Sequence, residues 1–164
     1  MTDNDPEKYI PDIMKEEDLR RIAHYFFVQN TPFNKLLGIN IEWVEIDSMC
    51  LRIDMKEELV GNTFRGLVHG GVTASLLDVA GGIVAFFSLR NRLRGQSSEK
   101  ISQSFSKFGT VDLRIDYLRP GTGKSFTATS SILRIGNKVA VTRMELHNDR
   151  EKLIAVGTGA YLVG

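Results

Sequence analysis

An α+β fold, in which one curved antiparallel sheet of six strands wraps around a single long helix, is predicted by three observations on the 164-residue sequence. Only one segment, from His69 to about Arg90, is both apolar and long enough for a central helix. Six strand-like runs flank it, two before and four after, joined by short turn-forming stretches. The composition, 42% hydrophobic and 25% charged in a chain of one-domain length, is that of a soluble globular protein able to bury a sizeable core.

Each element has its own signal. Residues 1–15 read as a loose lead-in, and "EEDLRRIAHYFFVQN" has helical spacing at Leu19, Ile22, Ala23 and Phe26 with acidic residues in its first turn. "TPFNKLLG" reads as a short second helix, with Thr31 as N-cap, Pro32 at the first helical position and Gly38 at the stop. Residues 1–34 therefore form a lead-in and helix, and 35–164 the main domain. "INIEWVEI" and "SMCLRIDMK" alternate as strands, with Asp47-Ser48 as the hairpin turn. After the long helix, the serine-rich "RNRLRGQSSEKISQSFSKFG" reads as a mobile loop. "TVDLRIDYLRP", "KSFTATSSILRI", "KVAVTRMELHN" and "KLIAVGTGAYLV" close the chain as strands. An open sheet of this kind has free edges that invite pairing with another subunit, so a dimer is expected.

Composition also excludes. A net charge of +1 gives no global reason to expect nucleic acid or a membrane as partner. The longest apolar run, "VAGGIVAFF", is too short to cross a bilayer, and the acidic start is no secretory signal. A lone cysteine, Cys50, excludes an internal disulfide and fits a cytoplasmic location. His24, His69 and His147 lack metal-ligand spacing, so neither metal nor cofactor is expected. "GTGKS" at 121–125 imitates the tail of a phosphate-binding loop, but position 118 is Leu118 where that motif requires glycine, and the segment joins two strands.

The long helix holds the chemistry. At 100° per residue Val72, Leu76, Val79, Ile83 and Phe87 form one stripe, widened by Leu77 and Val84, expected to face the sheet. Asp78 lies away from that stripe, among Ala74, Gly81, Gly82 and Ala85, a small-residue side that admits a helix, a partner subunit or a thin ligand. Gly70-Gly71 falls at the helix N-terminus, where open N–H groups and the positive dipole end suit a developing oxyanion. Gly70 polarising a carbonyl while Asp78 attacks it, or activates water, makes a site for acyl transfer or hydrolysis. The alternative from pattern alone is a structural one: Asp78 paired with a cation across a dimer interface, and glycines that merely permit close packing.

"GNTFRGLVHGGVTASLLDVAGG", followed by "GTVDLRIDYLRPG", resembles the hotdog-fold acyl-CoA thioesterases of the phenylacetate-pathway (PaaI-like) type, including bacterial medium/long-chain acyl-CoA thioesterases. The likeness covers roughly residues 35–163. It implies a hotdog fold paired into dimers and often tetramers, and hydrolysis of acyl-CoA to free acid and CoA. Asp78 matches the family's catalytic carboxylate and Gly70 the glycine whose N–H polarises the thioester carbonyl. Asn62 resembles an asparagine that holds water or substrate, about one residue further from His69 than is usual. Thr110 matches a Ser/Thr that orients the water. His69 is implied to fix the geometry of the loop, with Gly71 beside it in contact with substrate. Asp112, Tyr117, Asn137 and Lys138 occupy positions that resemble CoA-contacting ones, and Arg90, Arg92 and Arg94 offer guanidinium groups to phosphates. The resemblance further implies that Asp78 faces His69 and Gly70 of the other subunit. Two competing functions remain: a hydratase or dehydratase on acyl thioesters, whose motif "HGGVTASLLD" does not resemble, and a non-catalytic acyl-CoA-binding module, which would not need Asp78.

Overall fold

The structure, a computed structural model, describes residues 16–164; the lead-in expected over residues 1–15 lies outside them. Helix α1 (Glu16–Ala23) runs on into a π-helical turn, His24–Gln29, and is followed by α2 (Pro32–Leu37). Strands β1 (Asn40–Val44) and β2 (Ser48–Asp54) precede a small hairpin, β3 (Val60–Asn62) and β4 (Leu67–Val68). The long helix α3 (Gly70–Arg92) and a shorter α4 (Ser98–Ser106) come next, then β5 (Gly109–Tyr117), β6 (Ser125–Ile135), β7 (Val139–Asn148) and β8 (Leu153–Leu162). The main sheet is antiparallel throughout, in the order β1-β2-β6-β7-β8-β5. All six expected strands are present, and β1 and β5 are the edges.

One face of the sheet is apolar because its strands alternate with period two. Ala140, Thr142, Met144 and Leu146 of β7 point inward, as do Met49, Leu51 and Ile53 of β2, and all are fully buried. Helix α3 lies against that face. From Ala80 to Arg90 every residue of it is buried, because the sheet covers one side and α1, α2 and α4 the other. Full burial of a side chain such as Leu76, Ile83 or Phe87 contributes roughly 1.5–3 kcal/mol each. By length and composition α3 could span a bilayer, but 72% of its apolar window is buried within the protein, so it is the core helix.

Three local expectations need correcting. The loop expected after α3 contains α4, capped by the Ser97 hydroxyl accepting from the Lys100 N–H at 3.4 Å. Its signal was Ile101 and Phe105 at i and i+4, which pack with Phe108 onto the core. The β1–β2 turn is 45–47, with Ser48 already in β2 and its hydroxyl donating to Glu45 at 3.0 Å. Thr31 holds the N-cap position of α2 as expected, but its side chain makes no capping bond; its hydroxyl donates to the Phe26 carbonyl at 2.9 Å and ties α2 to the π-helical turn.

The C-terminal end of α3 is held by Arg92, whose guanidinium donates to the backbone carbonyls of Gly136, Val163 (2.9 Å) and Asn137 (3.3 Å). Charge-assisted bonds to otherwise open carbonyls are costly to lose. Arg92→Ala is expected to destabilise the fold by about 2–3 kcal/mol, read as a Tm lower by several degrees, with activity per folded molecule retained. Cys50 is a buried strand residue, its thiol pushed up to about 11 by burial and, secondarily, by the Glu42 carboxylate. It stays protonated and unreactive at neutral pH.

Candidate active site

The N-terminus of α3 is built around His69. Its Nδ1 accepts from the Gly71 N–H at 2.8 Å, and its carbonyl accepts from Val72 (3.0 Å) and Thr73 (3.1 Å). A histidine bonded this way carries its proton on Nε2 and acts as the helix cap. With those donors used, the Gly70 N–H is the first-turn group left without an acceptor among the described residues. Gly70 is an exposed residue at the positive end of a 23-residue helix. Tyr117 of β5 fixes the peptide from the other side, its hydroxyl donating to the Gly70 carbonyl at 2.8 Å. Gly61 lets the β3–β4 hairpin reach the cap, since a Cβ there would lie 2.6 Å from His69 Cα. Asn62 sits in the same hairpin, its Oδ1 accepting from the Arg65 N–H at 3.2 Å.

Two helical turns on, Asp78 receives two hydroxyls on one oxygen. Thr110 donates to Oδ1 at 3.0 Å; Tyr161 lies 3.2 Å from the same Oδ1 and 2.9 Å from the Asp78 carbonyl oxygen. Thr110 of β5 and Tyr161 of β8 are directly opposed across the strand pair. A β-bulge follows at once: Thr110 pairs with Tyr161 and Asp112 with Ala160, so Val111 is the extra residue. The bulge puts Asp112 on the opposite face of the sheet from Thr110. No protein donor reaches Oδ2 of Asp78 among the described residues.

Asp78, Thr110 and Tyr161 wall a cavity of about 300 Å³, lined also by the apolar Phe27, Phe33, Val79 and Phe108 and the neutral polar Thr31, Asn34 and Ser75. A second cavity, about 400 Å³, opens beside His69 and Gly71 and shares Phe33 and Ser75 with the first. Behind the first, Phe86 stacks on Phe105 at 4.6 Å and meets Phe27 and Phe108 edge-on. Of the phenylalanines the sequence pointed to, Phe108 borders the cavity, Phe86 backs it, and Phe87 is buried in the core.

The predicted site residues thus fall in separate groups. His69, Gly70, Gly71 and Tyr117 meet at the helix start with Asn62 nearby, and Asp78 and Thr110 meet two turns later. Asn137 and Lys138 lie in the β6–β7 turn at the opposite end of α3 from Gly70, where Asn137 accepts from Arg92. Arg92 is engaged with backbone carbonyls and Arg90 is 5% exposed, so of the three arginines Arg94 is the exposed one. The expected sheet-facing stripe is also too narrow. Gly81 approaches Tyr161, Thr142 and Met144 of the chain's own sheet, while Val79 turns to the cavity. Tyr161 was missed altogether. Its signal was Gly157-x-Gly159-x-Tyr161 on the inner face of the last strand, opposite Gly81.

Known proteins resemble the chain in sequence and fold. The thioesterase-superfamily profile matches residues 65–155. The chain is 45% identical to the medium/long-chain acyl-CoA thioesterase YigI of Escherichia coli K12, over 93% of this chain and 98% of that protein. A Shewanella oneidensis protein related to the thioesterase superfamily superposes with a TM-score of 0.83 at 45% identity, covering 91% of this chain and 97% of that one. The Escherichia coli PaaI protein from the phenylacetic acid degradation operon has the same fold, with a TM-score of 0.72 at 20% identity and coverage of 92% and 96%. On sequence and fold, this chain belongs to the thioesterase superfamily.

Proposed function

We propose that the protein hydrolyses acyl-CoA thioesters, medium- and long-chain ones included, at a site shared by two subunits of a homodimer. The observation that carries this reading is the combination of an open Gly70 N–H with a carboxylate, Asp78, that lines a largely apolar cavity and has one oxygen without a protein donor among the described residues. A thioester carbonyl on the Gly70 N–H gains charge during attack, and the helix N-terminus favours that charge. Oδ2 of Asp78 either takes the proton of the attacking water or attacks the carbonyl carbon itself. In both routes the C–S bond breaks and the CoA sulfur leaves as thiolate, then takes up a proton. After direct attack, water hydrolyses the acyl–Asp78 anhydride, releasing the free acid and restoring the carboxylate. The apolar cavity suits an acyl chain, and the name of the 45% identical relative supports medium and long chains.

Distance argues for the second subunit. Gly70 and Asp78 are eight residues apart on one helix, about 12 Å, whereas donor and base must each lie within about 3 Å of the reacting atoms. A second copy facing the first closes that gap by bringing its Gly70, with His69 and Asn62, to this Asp78 and Thr110. Edge strand β5 supplies a surface for the pairing: it is unpaired on one side, and Val111 and Tyr117 are 61% and 55% exposed. Two such dimers can pair again as a tetramer.

Thiol release from an acyl-CoA series of graded length tests the activity, and solution mass tests the assembly. Turnover rising from short to medium and long chains, by a species no smaller than a dimer, is the expected result. Hydration of enoyl-CoA without thiol release, or stoichiometric binding without turnover, would sink the hydrolase reading. An active monomer would sink the shared site.

A further inference from the structure

The geometry points to Tyr161 as the positioning residue of the active-site acid: its hydroxyl, with that of Thr110 across the strand pair, fixes Oδ1 of Asp78 and leaves Oδ2 turned to the substrate. This rests on the hydrolase reading but adds a residue to it. Tyr161 is 1% exposed and belongs to the last strand, 83 residues from the acid it reaches. Its phenol lies within hydrogen-bond distance of both the Asp78 carbonyl and Oδ1, so one side chain ties the helix backbone and the carboxylate to the sheet. Burial, and then the neighbouring carboxylate, raise its pKa, so the phenol remains a protonated donor.

The surroundings are shaped for this tyrosine. A Cβ on Gly81 would collide with the Tyr161 hydroxyl, and one on Gly159 would lie 2.8 Å from both the hydroxyl and the ring. Phe108 stacks on the ring with planes 9° apart, and the Thr142 hydroxyl donates to Met144 Sδ at 3.0 Å. The polar groups lining the cavity, Thr31, Asn34, Ser75, Thr110 and Tyr161, are neutral, and Asp78 has no ion pair among the described residues. Hydroxyl donors alone therefore orient the carboxylate.

Tyr161→Phe keeps the ring and deletes only the hydroxyl. The expected result is a kcat lower by about tenfold or more with KM changed less than about twofold, the pattern of an interaction that matters in the transition state. Tm should stay within a few degrees of wild type. In 13C NMR of aspartate-labelled protein, the Asp78 carboxyl resonance, assigned by its absence from Asp78→Asn, should shift in Tyr161→Phe. An unmoved resonance, or a kcat within about threefold of wild type, would overturn the assignment. Absence of thiol release from the wild-type chain would instead refute the hydrolase reading, and the carboxyl resonance would then decide the Tyr161–Asp78 contact alone.

Discussion

Asp78→Asn is expected to lower acyl-CoA hydrolysis by about a thousandfold or more while the protein stays folded and dimeric. The amide is nearly isosteric, and its oxygen still accepts from Thr110 and Tyr161, so the local hydrogen bonds survive. What disappears is the charge and basicity on the oxygen that borders the cavity. An amide can neither take a proton from water at neutral pH nor attack a carbonyl. Thiol-release kinetics with solution mass and Tm check this. Turnover near wild type in a folded dimer would remove Asp78 from the mechanism. In a single turnover of the wild type in 18O-water, label in Asp78 marks an anhydride opened at the aspartyl carbonyl and hence direct attack.

The sheet was legible because its signal is local. Six alternating runs with turn residues between them can be read without knowing what packs on what, and the observed strands follow them closely. The long helix was legible for the same reason, with the glycine pair at its start, whereas His69 as its cap emerged only from the structure. Helix α4 was hidden because serines dominate its composition, and two hydrophobic residues one turn apart carry its packing. The candidate acid, Asp78, could be found from its anomaly, a charge inside an apolar helix. Its partners could not be read from pattern alone, because the β5 bulge decides which side of the strand Thr110 and Asp112 face. Resemblance named Thr110 as a residue that orients the water; in the structure its hydroxyl donates to Asp78. Nothing placed Tyr161, whose role depends on a contact across 83 residues of sequence.

The adjacent glycines of α3 should respond in opposite directions to the same substitution. In a helix interior Gly→Ala is worth up to about 1 kcal/mol in favour of the fold. At Gly82 the nearest atom to a new Cβ is Tyr161 Cε1 at 3.6 Å, an ordinary contact, so Gly82→Ala is expected to raise Tm by about 2–4 °C. At Gly81 the Cβ would meet the Tyr161 hydroxyl, with Thr142 Oγ1 at 2.8 Å and Met144 Sδ at 3.0 Å. The phenol cannot retreat, since its ring is held between Phe108 and the bare backbone of Gly159. Overpacking of that kind costs about 1–3 kcal/mol beyond the helix gain, so Gly81→Ala is expected to be destabilised. It should also lose activity, because relief of the clash pulls the hydroxyl off Asp78. The double variant Gly81→Ala/Tyr161→Phe removes the atom in the way and should recover part of the lost stability, a coupling of about 1 kcal/mol or more in a double-mutant cycle. Denaturation of the four proteins measures it. A Gly81→Ala protein as stable as Gly82→Ala, or a cycle with no coupling, would show that the glycine does not make room for the tyrosine. The expected result gives the glycines of this buried helix a definite purpose: Gly81 costs helix stability so that a tyrosine from the far end of the chain can reach the acid.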